Sequence, residues 1–313
     1  MNISVIIPVY NAEKYIEKAI KSCIQLSEVK EIIVVDDGYR DRAKEIVIEL
    51  IKEFPIVKLF EHPDNENKGT GLSRNLGIEK ATQEYIAFLD ADDFFLPNRF
   101  EMDKCVIENY PDVDGCYNAI DCHFYTDTAK NLFLKKFNST RTTVNSFANP
   151  TPKNLFRGLL GLIPNYGYFS LDGLTIKKEL LINNKILFPD SSMHEDTVFA
   201  IKLAYYGKLY PSEINEPVAL RGVHEENRIT ANYELEKKIQ FEKRFLMWNS
   251  IYEWSKNLNL EKKEILFLKQ QASLFKLLSN KNPRFKDMIK LIPNNYRVIL
   301  NRDFRQLLLN FFN

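Results

Sequence analysis

The sequence predicts an α/β protein with a Rossmann-like, mostly parallel central sheet flanked by helices and an α-helical C-terminal extension. Apolar strand patterns alternate with amphipathic helix patterns through roughly the first 110 residues. Such alternation is typical of parallel sheets with right-handed crossovers. From about residue 233 the pattern is helical to the end, with interruptions near Pro283 and Pro293.

Four short apolar runs are predicted strands, because each is rich in β-branched or aromatic residues and is followed by turn-forming or acidic residues. They are residues 3–9, 31–35, 56–60 and 84–89. Helices are predicted between them. Asn11 is expected to cap the first helix and Asp41 the second, and the third spans residues 72–80.

Beyond Pro97 the pattern is less regular. It predicts a helix to about residue 109, a strand over residues 115–124, and then mixed strands and loops. A helix over residues 195–206 and a strand at residues 218–221 follow. The chain contains no internal repeat and no low-complexity segment.

The net charge of +1 hides an asymmetry along the chain. Residues 232–313 carry 16 Lys and Arg against 8 Asp and Glu, whereas residues 1–231 carry 27 against 34. An acidic front suits metal binding, and a basic tail suits an anionic surface, an acidic partner or simply a solvated helical face.

The last predicted helix carries an apolar stripe, at Phe304, Leu307, Leu308 and Phe311, with Arg302 and Arg305 nearby. Such a helix can lie on a membrane surface or dock on the protein's own core or a second subunit. The C-terminal helices are therefore candidates for peripheral membrane contact or for a homodimer interface.

The four cysteines show no paired spacing, and no apolar stretch approaches the roughly 20 residues of a membrane-spanning helix. The chain also opens on a strand pattern and not on a secretory leader. We therefore expect a cytoplasmic location, with peripheral contact on the inner membrane face as a further option. No nucleic acid is expected among the partners.

Three carboxylates stand within four positions at the end of the fourth predicted strand: Asp90, Asp92 and Asp93. Ligands of open α/β sheets bind beyond the carboxyl ends of the strands. Like charges so close raise one another's pKa unless a cation or a helix N-terminus offsets them, which favours a divalent metal site. The alternative is an aspartate that caps a helix near Pro97.

Polar groups follow the other predicted strands as well. They are Tyr10 and Asn11, Asp36 and Asp37, and a glycine-rich, cationic loop over residues 68–77. This loop lacks the ending of a phosphate-binding P-loop and the spacing of a dinucleotide fingerprint. Because parallel strands end at one edge of a sheet, we expect these groups to converge with the aspartates.

Together these segments resemble family 2 glycosyltransferases, which have the GT-A fold. The resemblance covers roughly residues 1–230 and rests on five short motifs in order: residues 5–11, 35–38, 71–77, 90–93 and 195–196. It implies a catalytic domain over residues 1–231, with a nucleotide-binding half at 1–110 and an acceptor-binding half at 111–231. Residues 232–313 would be a helical basic extension.

The resemblance also implies a nucleotide-sugar site formed by Pro8, Tyr10, Asn11, Asp37, Arg74, Asp90 and Asp92. Within it, Pro8, Tyr10 and Asp37 would hold the base and ribose, and Arg74 would approach the sugar or diphosphate. Asp90 and Asp92 would form the DxD pair that binds Mn²⁺ or Mg²⁺, with Asp92 the more direct ligand. His224 is a candidate third metal contact, although a histidine in a loop is often only solvated or hydrogen-bonded.

Attack by a sugar hydroxyl needs a base, because an alcohol is a weak nucleophile until its proton is removed. By resemblance Asp196 is the candidate base, and Glu195 is an alternative base or an acceptor contact. The other interpretation of Asp196 is a favourable charge at a helix N-terminus, worth about 0.3–1 kcal/mol. Position 198 is valine, so His194 and Glu195 do not open a zinc-protease helix.

The leading hypothesis is an inverting hexosyl- or N-acetylhexosaminyltransferase that moves one sugar from a nucleotide donor, with UDP favoured, to a saccharide or lipid-linked acceptor. Bacterial-type cell-surface polysaccharide synthesis is the expected setting. Absence of the QxxRW signature argues against processive synthesis. The sequence departs from the usual family pattern at Tyr39-Arg40 and at Ser73, and neither departure falls on a presumed catalytic group. Alternatives are an inactive nucleotide-sugar-binding or scaffolding protein and a sugar nucleotidyltransferase.

Overall fold

The computed structural model describes residues 1–38, 40–63, 66–137, 139–140, 152–163, 167–190, 194–227, 237–280, 286 and 303–305. The chain forms two compact units. The first comprises Met1–Ser192 and Phe199–Ala231, and the second comprises Met193–Val198 and Asn232–Asn313. The functional division predicted at residue 231 stays a prediction.

A seven-stranded sheet lies at the centre of the first unit. Its strands are β1 (Ile3–Val9), β2 (Val29–Asp36), β3 (Val57–Glu61), β4 (Tyr85–Phe88), β6 (Gly115–Tyr117), β8 (Leu174–Lys177) and β9 (Leu209–Pro211). The order across the sheet is β3-β2-β1-β4-β8-β6-β9. The first four strands are parallel, β8 runs antiparallel to both neighbours, and β6 and β9 are parallel. This confirms the predicted fold class, a mostly parallel sheet flanked by helices.

A smaller sheet has the order β5-β10-β7 and consists of β5 (Phe94–Phe95), β7 (Asp121–Phe124) and β10 (Ala219–Val223). The prediction of one strand over residues 115–124 is wrong, because the chain leaves the central sheet after Tyr117 and enters this second sheet at Asp121. Between them, the backbone N–H of Asn118 donates to Gly173 O and that of Ala119 to Glu213 O. These bonds hold the crossing segment.

Eight helices are described in or partly in the first unit: α1 (Ile16–Ile24), α2 (Ala43–Glu53), α3 (Thr70–Lys80), α4 (Glu101–Asn109), α5 (Asp127–Lys136), α6 (Pro152–Leu159), α7 (Lys178–Asn183) and α8 (Glu195–Tyr206). The predicted helices at 72–80, to 109 and at 195–206 agree with α3, α4 and α8. A short 3₁₀ turn, Leu171–Gly173, precedes β8.

The two predicted helix caps are wrong in detail. Helix α1 begins at Ile16, four residues later than an Asn11 cap requires, and its cap position makes no side-chain hydrogen bond. Asn11 adopts a positive φ of 51° and accepts from Arg40 N at 3.0 Å. Asp41 stands one residue before the cap position of α2 and accepts from the backbone of Ala43 and Glu13. Both residues instead join the β1–α1 turn to the β2–α2 turn.

The core of the first unit lies between the sheet and its helices. Every residue of β1 is buried, as a strand covered on both faces requires. Helix α3 approaches β1 unusually closely, since a Cβ at Gly77 would lie 2.3 Å from a methyl group of Ile6. This glycine therefore sets the distance of α3, which carries Arg74, from the sheet.

A buried ion pair, Arg99 with Asp103, anchors α4. The guanidinium of Arg99 also donates to the backbone oxygens of Asp172 and Leu174 at 3.0 Å each. The carboxylate of Asp103 additionally accepts from Asn118 Nδ2 and Thr175 Oγ1. A buried ion pair needs additional hydrogen bonds of this kind to offset the loss of hydration of its two charges.

The described part of the second unit contains two long helices, α9 (Lys237–Ser255) and α10 (Lys262–Ser279). Helix α10 begins with a capping box in which the side chains of Glu261 and Glu264 each accept from the other residue's backbone N–H. An aromatic-rich cluster of Leu274, Phe275, Leu277, Leu278 and Phe304 packs with Phe241, Phe245 and Trp248. The predicted C-terminal helices are thus present.

Within the described ranges, no helix combines the length and the apolar character needed to cross a membrane. Several predictions lie outside these ranges: the stripe at Leu307, Leu308 and Phe311, Arg302, and Tyr39. Of the stripe, only Phe304 is described, with Arg305 beside it.

Candidate active site

The carboxyl ends of the four parallel strands meet at one edge of the central sheet. Val9 pairs with Asp36, Asp36 pairs with Glu61, and Ile6 pairs with Phe88. The residues that follow these strands therefore lie side by side, as the sequence predicts. We call this set of strand ends the carboxyl edge.

Asp37 holds the glycine-rich loop at this edge through hydrogen bonds to its backbone. Its carboxylate is buried and accepts from the backbone N–H groups of Lys68, at 2.7 Å, and Gly69, at 3.0 Å. Gly69 has a φ of 88°, a conformation that favours glycine. Asp37 thus fixes the start of α3, while its predicted contact with the nucleotide stays a prediction.

Three predicted nucleotide-binding residues lie around the β1–α1 turn. Pro8 is a buried residue of β1, whereas Tyr10 is 42% exposed at the end of that strand. Asn11, with its positive φ, fastens this turn to Arg40. The exposed ring of Tyr10 is available to stack on a flat ligand.

Arg74 and Asp90 form an ion pair at the carboxyl edge. Arg74 Nη2 donates to Asp90 Oδ1 at 2.6 Å. The arginine side chain is only 1% exposed, but that of Asp90 is 40% exposed. Arg74 also lies over the ring of Phe188, which stacks on Phe199 at a centroid distance of 3.8 Å. A buried cation therefore holds a partly exposed carboxylate in place.

Asp92 is held by two residues that follow β10. Asn227 Nδ2 donates to Asp92 Oδ2 at 2.7 Å, and His224 Nε2 lies 3.3 Å from the same oxygen. Asp92 and His224 were both predicted as metal contacts, and the structure brings them together, while their role as metal ligands stays a prediction. Asn227 was not predicted, because a loop asparagine that is 135 residues away in sequence gives no signal of its own.

Asp93 differs from its two neighbours because it is buried and accepts from Gly222 N at 2.8 Å. Burial and the nearby charge of Asp172 raise the pKa of Asp93 well above its usual range. A strand, β5, follows directly, and the next helix begins at Glu101. The alternative of a helix cap for Asp93 is therefore wrong, and its contact is with β10.

Gly222 allows this contact, since a Cβ there would lie 2.0 Å from the backbone oxygen of Asp92. Close to Asp93 lie Asp172, which accepts from Ser170 Oγ and Asp90 N, and the half-buried Arg221. Burial lowers the pKa of Arg221, but the charges of Asp93 and Asp172 raise it above its ordinary value. Asp172 carried no motif in the sequence, so only the fold identifies it.

The carboxylates fit a divalent metal ion. Oxygen atoms of Asp90, Asp92 and Asp93 all lie within 4.8 Å of one another. Adjacent ligands of an octahedral ion with bonds of about 2.1 Å lie roughly 3 Å apart, close to the 3.3 Å between His224 Nε2 and Asp92 Oδ2. Among the described residues these three aspartates form such a group, and the assignment of Asp90, Asp92 and His224 as the ligands stays a prediction.

The two predicted base candidates, Glu195 and Asp196, form the first turn of α8. His194, which precedes them, has a positive φ of 64°. Burial, with the charges of Arg244 and Lys243, lowers the pKa of His194. All three belong to the segment Met193–Val198 of the second unit, and the base role stays a prediction.

A family model described as "Glycosyl transferase family 2" matches residues 4–157, which include β1 to β4 and the aspartate cluster. A protein of Haemophilus influenzae, described as an uncharacterised glycosyltransferase, is 45% identical over 100 residues. That alignment covers 32% of this chain and 39% of the relative, so the chain matches about two fifths of the relative's length.

Two solved structures are similar in fold. TarS 1–349 of S. aureus, in complex with UDP-GlcNAc, is 22% identical with a TM-score of 0.59, covering 88% of this chain and 72% of that chain. The mannosyltransferase PcManGT of Pyrobaculum calidifontis, in complex with GDP-Man and Mn²⁺, is 15% identical with a TM-score of 0.53, covering 98% and 82%. At these identities the likeness shows the GT-A fold alone. Over residues 4–157 the chain therefore matches glycosyltransferase family 2.

Proposed function

We propose that this protein is an inverting glycosyltransferase that moves one sugar from a nucleotide-sugar, with UDP-sugars favoured, to a saccharide or lipid-linked acceptor. The carrying observation is the carboxyl edge of a family 2 domain, where Asp90 is held by Arg74 and Asp92 by His224 and Asn227. The complex of TarS with UDP-GlcNAc supports a nucleotide-sugar ligand for this fold.

The residues divide the work of the reaction. A metal ion at Asp90, Asp92 and His224 would neutralise the charge that develops on the departing diphosphate. Arg74 holds Asp90 at the edge and adds a fixed positive charge next to the donor. Tyr10 supplies an exposed ring for the base, and Pro8, Asn11 and Asp37 shape the turns that would receive the nucleotide.

Asp196 is the proposed base, with Glu195 as the alternative. It would take the proton of the acceptor hydroxyl while that oxygen attacks the anomeric carbon and the nucleoside diphosphate leaves. The C–O bond to the acceptor forms as the bond to the diphosphate breaks, which inverts the anomeric configuration. The base role of Asp196 is supported by the sequence motif and by the position of Asp196 in the first turn of α8.

Mn²⁺ is favoured over Mg²⁺ as the metal. The proposed ligands combine carboxylate oxygens with an imidazole nitrogen, and imidazole suits transition metals better than Mg²⁺. The Mn²⁺ in the mannosyltransferase complex is consistent with this preference. The cytoplasmic location and a role in cell-surface polysaccharide synthesis remain parts of the proposal that rest on the sequence.

A donor screen tests the reaction class. Release of UDP, GDP or dTDP from matching sugar donors would be measured with Mn²⁺, with Mg²⁺ and after chelation. We expect one donor class to be consumed in a metal-dependent manner. Asp92→Asn and Asp196→Asn should each lower turnover by about 10²–10³-fold, because each removes a group that acts in the transition state.

Asp112→Asn is the matched control, because Asp112 is an exposed aspartate paired with Lys208 on the surface of the first unit. It should turn over like the wild type. Near wild-type turnover of both Asp92→Asn and Asp196→Asn would refute the assigned roles. Metal-dependent UDP binding without transfer to any acceptor would instead favour the non-catalytic binding protein.

The nucleotidyltransferase alternative is disfavoured by the β1–α1 turn. A triphosphate site at that place would need a glycine-rich basic loop, and residues 8–12 contain neither glycine nor a basic residue. If the protein formed a nucleotide-sugar from a nucleoside triphosphate and a sugar phosphate, the nucleotidyltransferase alternative would be favoured again.

A further inference from the structure

His224 is packed against an aromatic ring that lies outside the predicted site. The imidazole stacks on Tyr15, with ring centroids 4.6 Å apart and planes inclined by 21°. Tyr15 is the residue immediately before α1 and also contacts Tyr125, at a centroid distance of 4.9 Å. Because the imidazole has a flat neighbour on one face, its rotation about the side-chain bonds is restricted.

A single amide, that of Asn227, joins the two proposed metal ligands. Its Oδ1 accepts from the backbone N–H of His224 at 2.5 Å. Its Nδ2 donates to Asp92 Oδ2 at 2.7 Å and to the backbone oxygen of Gly222 at 3.2 Å. One side chain thus fixes the carboxylate of one ligand, the backbone of the other, and the strand between them.

These contacts hold His224 Nε2 3.3 Å from Asp92 Oδ2, within hydrogen-bond distance, and this spacing also suits two adjacent ligands of one ion. Two unconstrained side chains would lose conformational entropy on closing around a metal. Groups that are already held in the binding geometry avoid much of that loss. Tyr15 and Asn227 are two residues whose contacts favour this geometry.

We propose that Tyr15 and Asn227 are positioning residues that hold the Asp92 carboxylate and the His224 imidazole as a preformed pair of ligands for a divalent metal ion. The inference rests on the proposed function, which places the metal at this pair. Neither residue needs to touch the ion. Outer contacts of this kind typically contribute about 10–100-fold to metal affinity.

The test is a Mn²⁺ titration of the full chain, followed by electron paramagnetic resonance of free Mn²⁺, with UDP present and absent. Asn227→Ala and Tyr15→Leu should each weaken Mn²⁺ binding by about 10-fold or more. Tyr15→Phe should stay within about twofold of the wild type, because the stacked ring is retained.

The matched control is Tyr110→Leu. Tyr110 stacks on Tyr210 of β9 at 5.1 Å and 21°, nearly the geometry of the Tyr15 stack, and β9 is the outermost strand, away from the carboxyl edge. Its loss should leave Mn²⁺ affinity unchanged. A second readout is turnover: raising Mn²⁺ to saturation should return kcat of Asn227→Ala to within about threefold of the wild type.

The outcomes separate the two claims. One outcome is that the wild type binds Mn²⁺ in the presence of UDP and that Asn227→Ala and Tyr15→Leu bind it equally tightly. This result would overturn the positioning role and leave the proposed function intact. Wild type that binds no Mn²⁺ under any of these conditions overturns the metal-dependent function itself. If Tyr15→Leu does not unfold cooperatively, Asn227→Ala and Tyr15→Phe decide.

Discussion

The two ends of the central sheet differ in how exposed their carboxylates are and in how many hydrogen bonds those carboxylates accept. At the amino end, Glu31 of β2 is 2% exposed and accepts from Lys58 Nζ, Ser4 Oγ and Thr82 N, at 2.5, 2.6 and 2.8 Å. These three donors come from β3, β1 and the segment before β4. At the carboxyl end, Asp90 and Asp92 are 40% and 29% exposed, among like charges.

The difference teaches how one sheet separates structure from function. At the amino end a carboxylate is saturated by donors from three chain segments, so it joins the strands and has nothing left to offer a ligand. At the carboxyl end, carboxylates are held from one side by Arg74, His224 and Asn227 and stay partly open on the other. Open, mutually repelling oxygens lower stability and create a place for a cation.

The largest expected effect on folding is at the amino end. Glu31→Gln should lower the free energy of unfolding by about 2 kcal/mol, because the amide is uncharged and its NH₂ group cannot accept the bond that Lys58 donates to the second carboxylate oxygen. Urea denaturation measures this change. Turnover per folded molecule should stay within about twofold of the wild type, since the residue lies at the far end of the sheet.

Glu17→Gln is the matched control, because Glu17 is an exposed glutamate that pairs with Lys21 on α1. It should change the free energy of unfolding by less than about 0.5 kcal/mol. An equal loss in both variants, or a large loss of turnover in folded Glu31→Gln, would break the distinction between the two ends.

A pH series sharpens the same comparison. Burial raises the pKa of Glu31, but the bonds from Lys58, Ser4 and Thr82 outweigh it and hold that pKa below its ordinary value. A carboxyl with a depressed folded-state pKa stabilises fully above its unfolded pKa of about 4.3 and loses that contribution as pH falls through the folded value. The stability difference between wild type and Glu31→Gln should therefore be full at pH 7 and shrink below about pH 4.

That difference is followed by urea denaturation at several pH values, with Glu17→Gln in parallel. A difference that stays constant down to about pH 3 would show that the charge of Glu31 contributes nothing and that only its shape matters.

The smallest expected effect has the opposite sign and lies at the carboxyl end. Asp92→Asn in metal-free protein should leave the free energy of unfolding unchanged or raise it by up to about 1 kcal/mol. It removes one of three charges whose oxygens lie within 4.8 Å, while the amide oxygen can still accept from Asn227. A stability loss comparable to that of Glu31→Gln would mean that Asp92 is structural.

Much of the carboxyl edge could be predicted from sequence, because its residues follow directly on apolar strands. Asp37 and Asp90 are of this kind. His224 was predicted by resemblance, and its contact with Asp92 is present. Tyr15, Asp172 and Asn227 were not, since their contacts join segments that are far apart in sequence and each residue alone is ordinary for its place.

Local signals also misplaced some elements for a physical reason. Asn11 and Asp41 have the residue types of helix caps, but both bond across the β1–α1 and β2–α2 turns. Asp93 looked equally like a cap and instead binds β10 through Gly222. In each case a backbone donor from another segment competes for the side-chain oxygen, and sequence spacing does not contain that competition.

By itself the sequence determined the alternation of strands and helices, the acidic cluster at the end of the fourth strand, and the family to which these motifs point. Periodicity, turn chemistry and short motifs are local, so they can be recognised along the chain. Only the tertiary structure decided which aspartate is open and which is buried, and which residues hold Asp92. Those properties depend on the close approach at Gly222 and on contacts across more than a hundred residues.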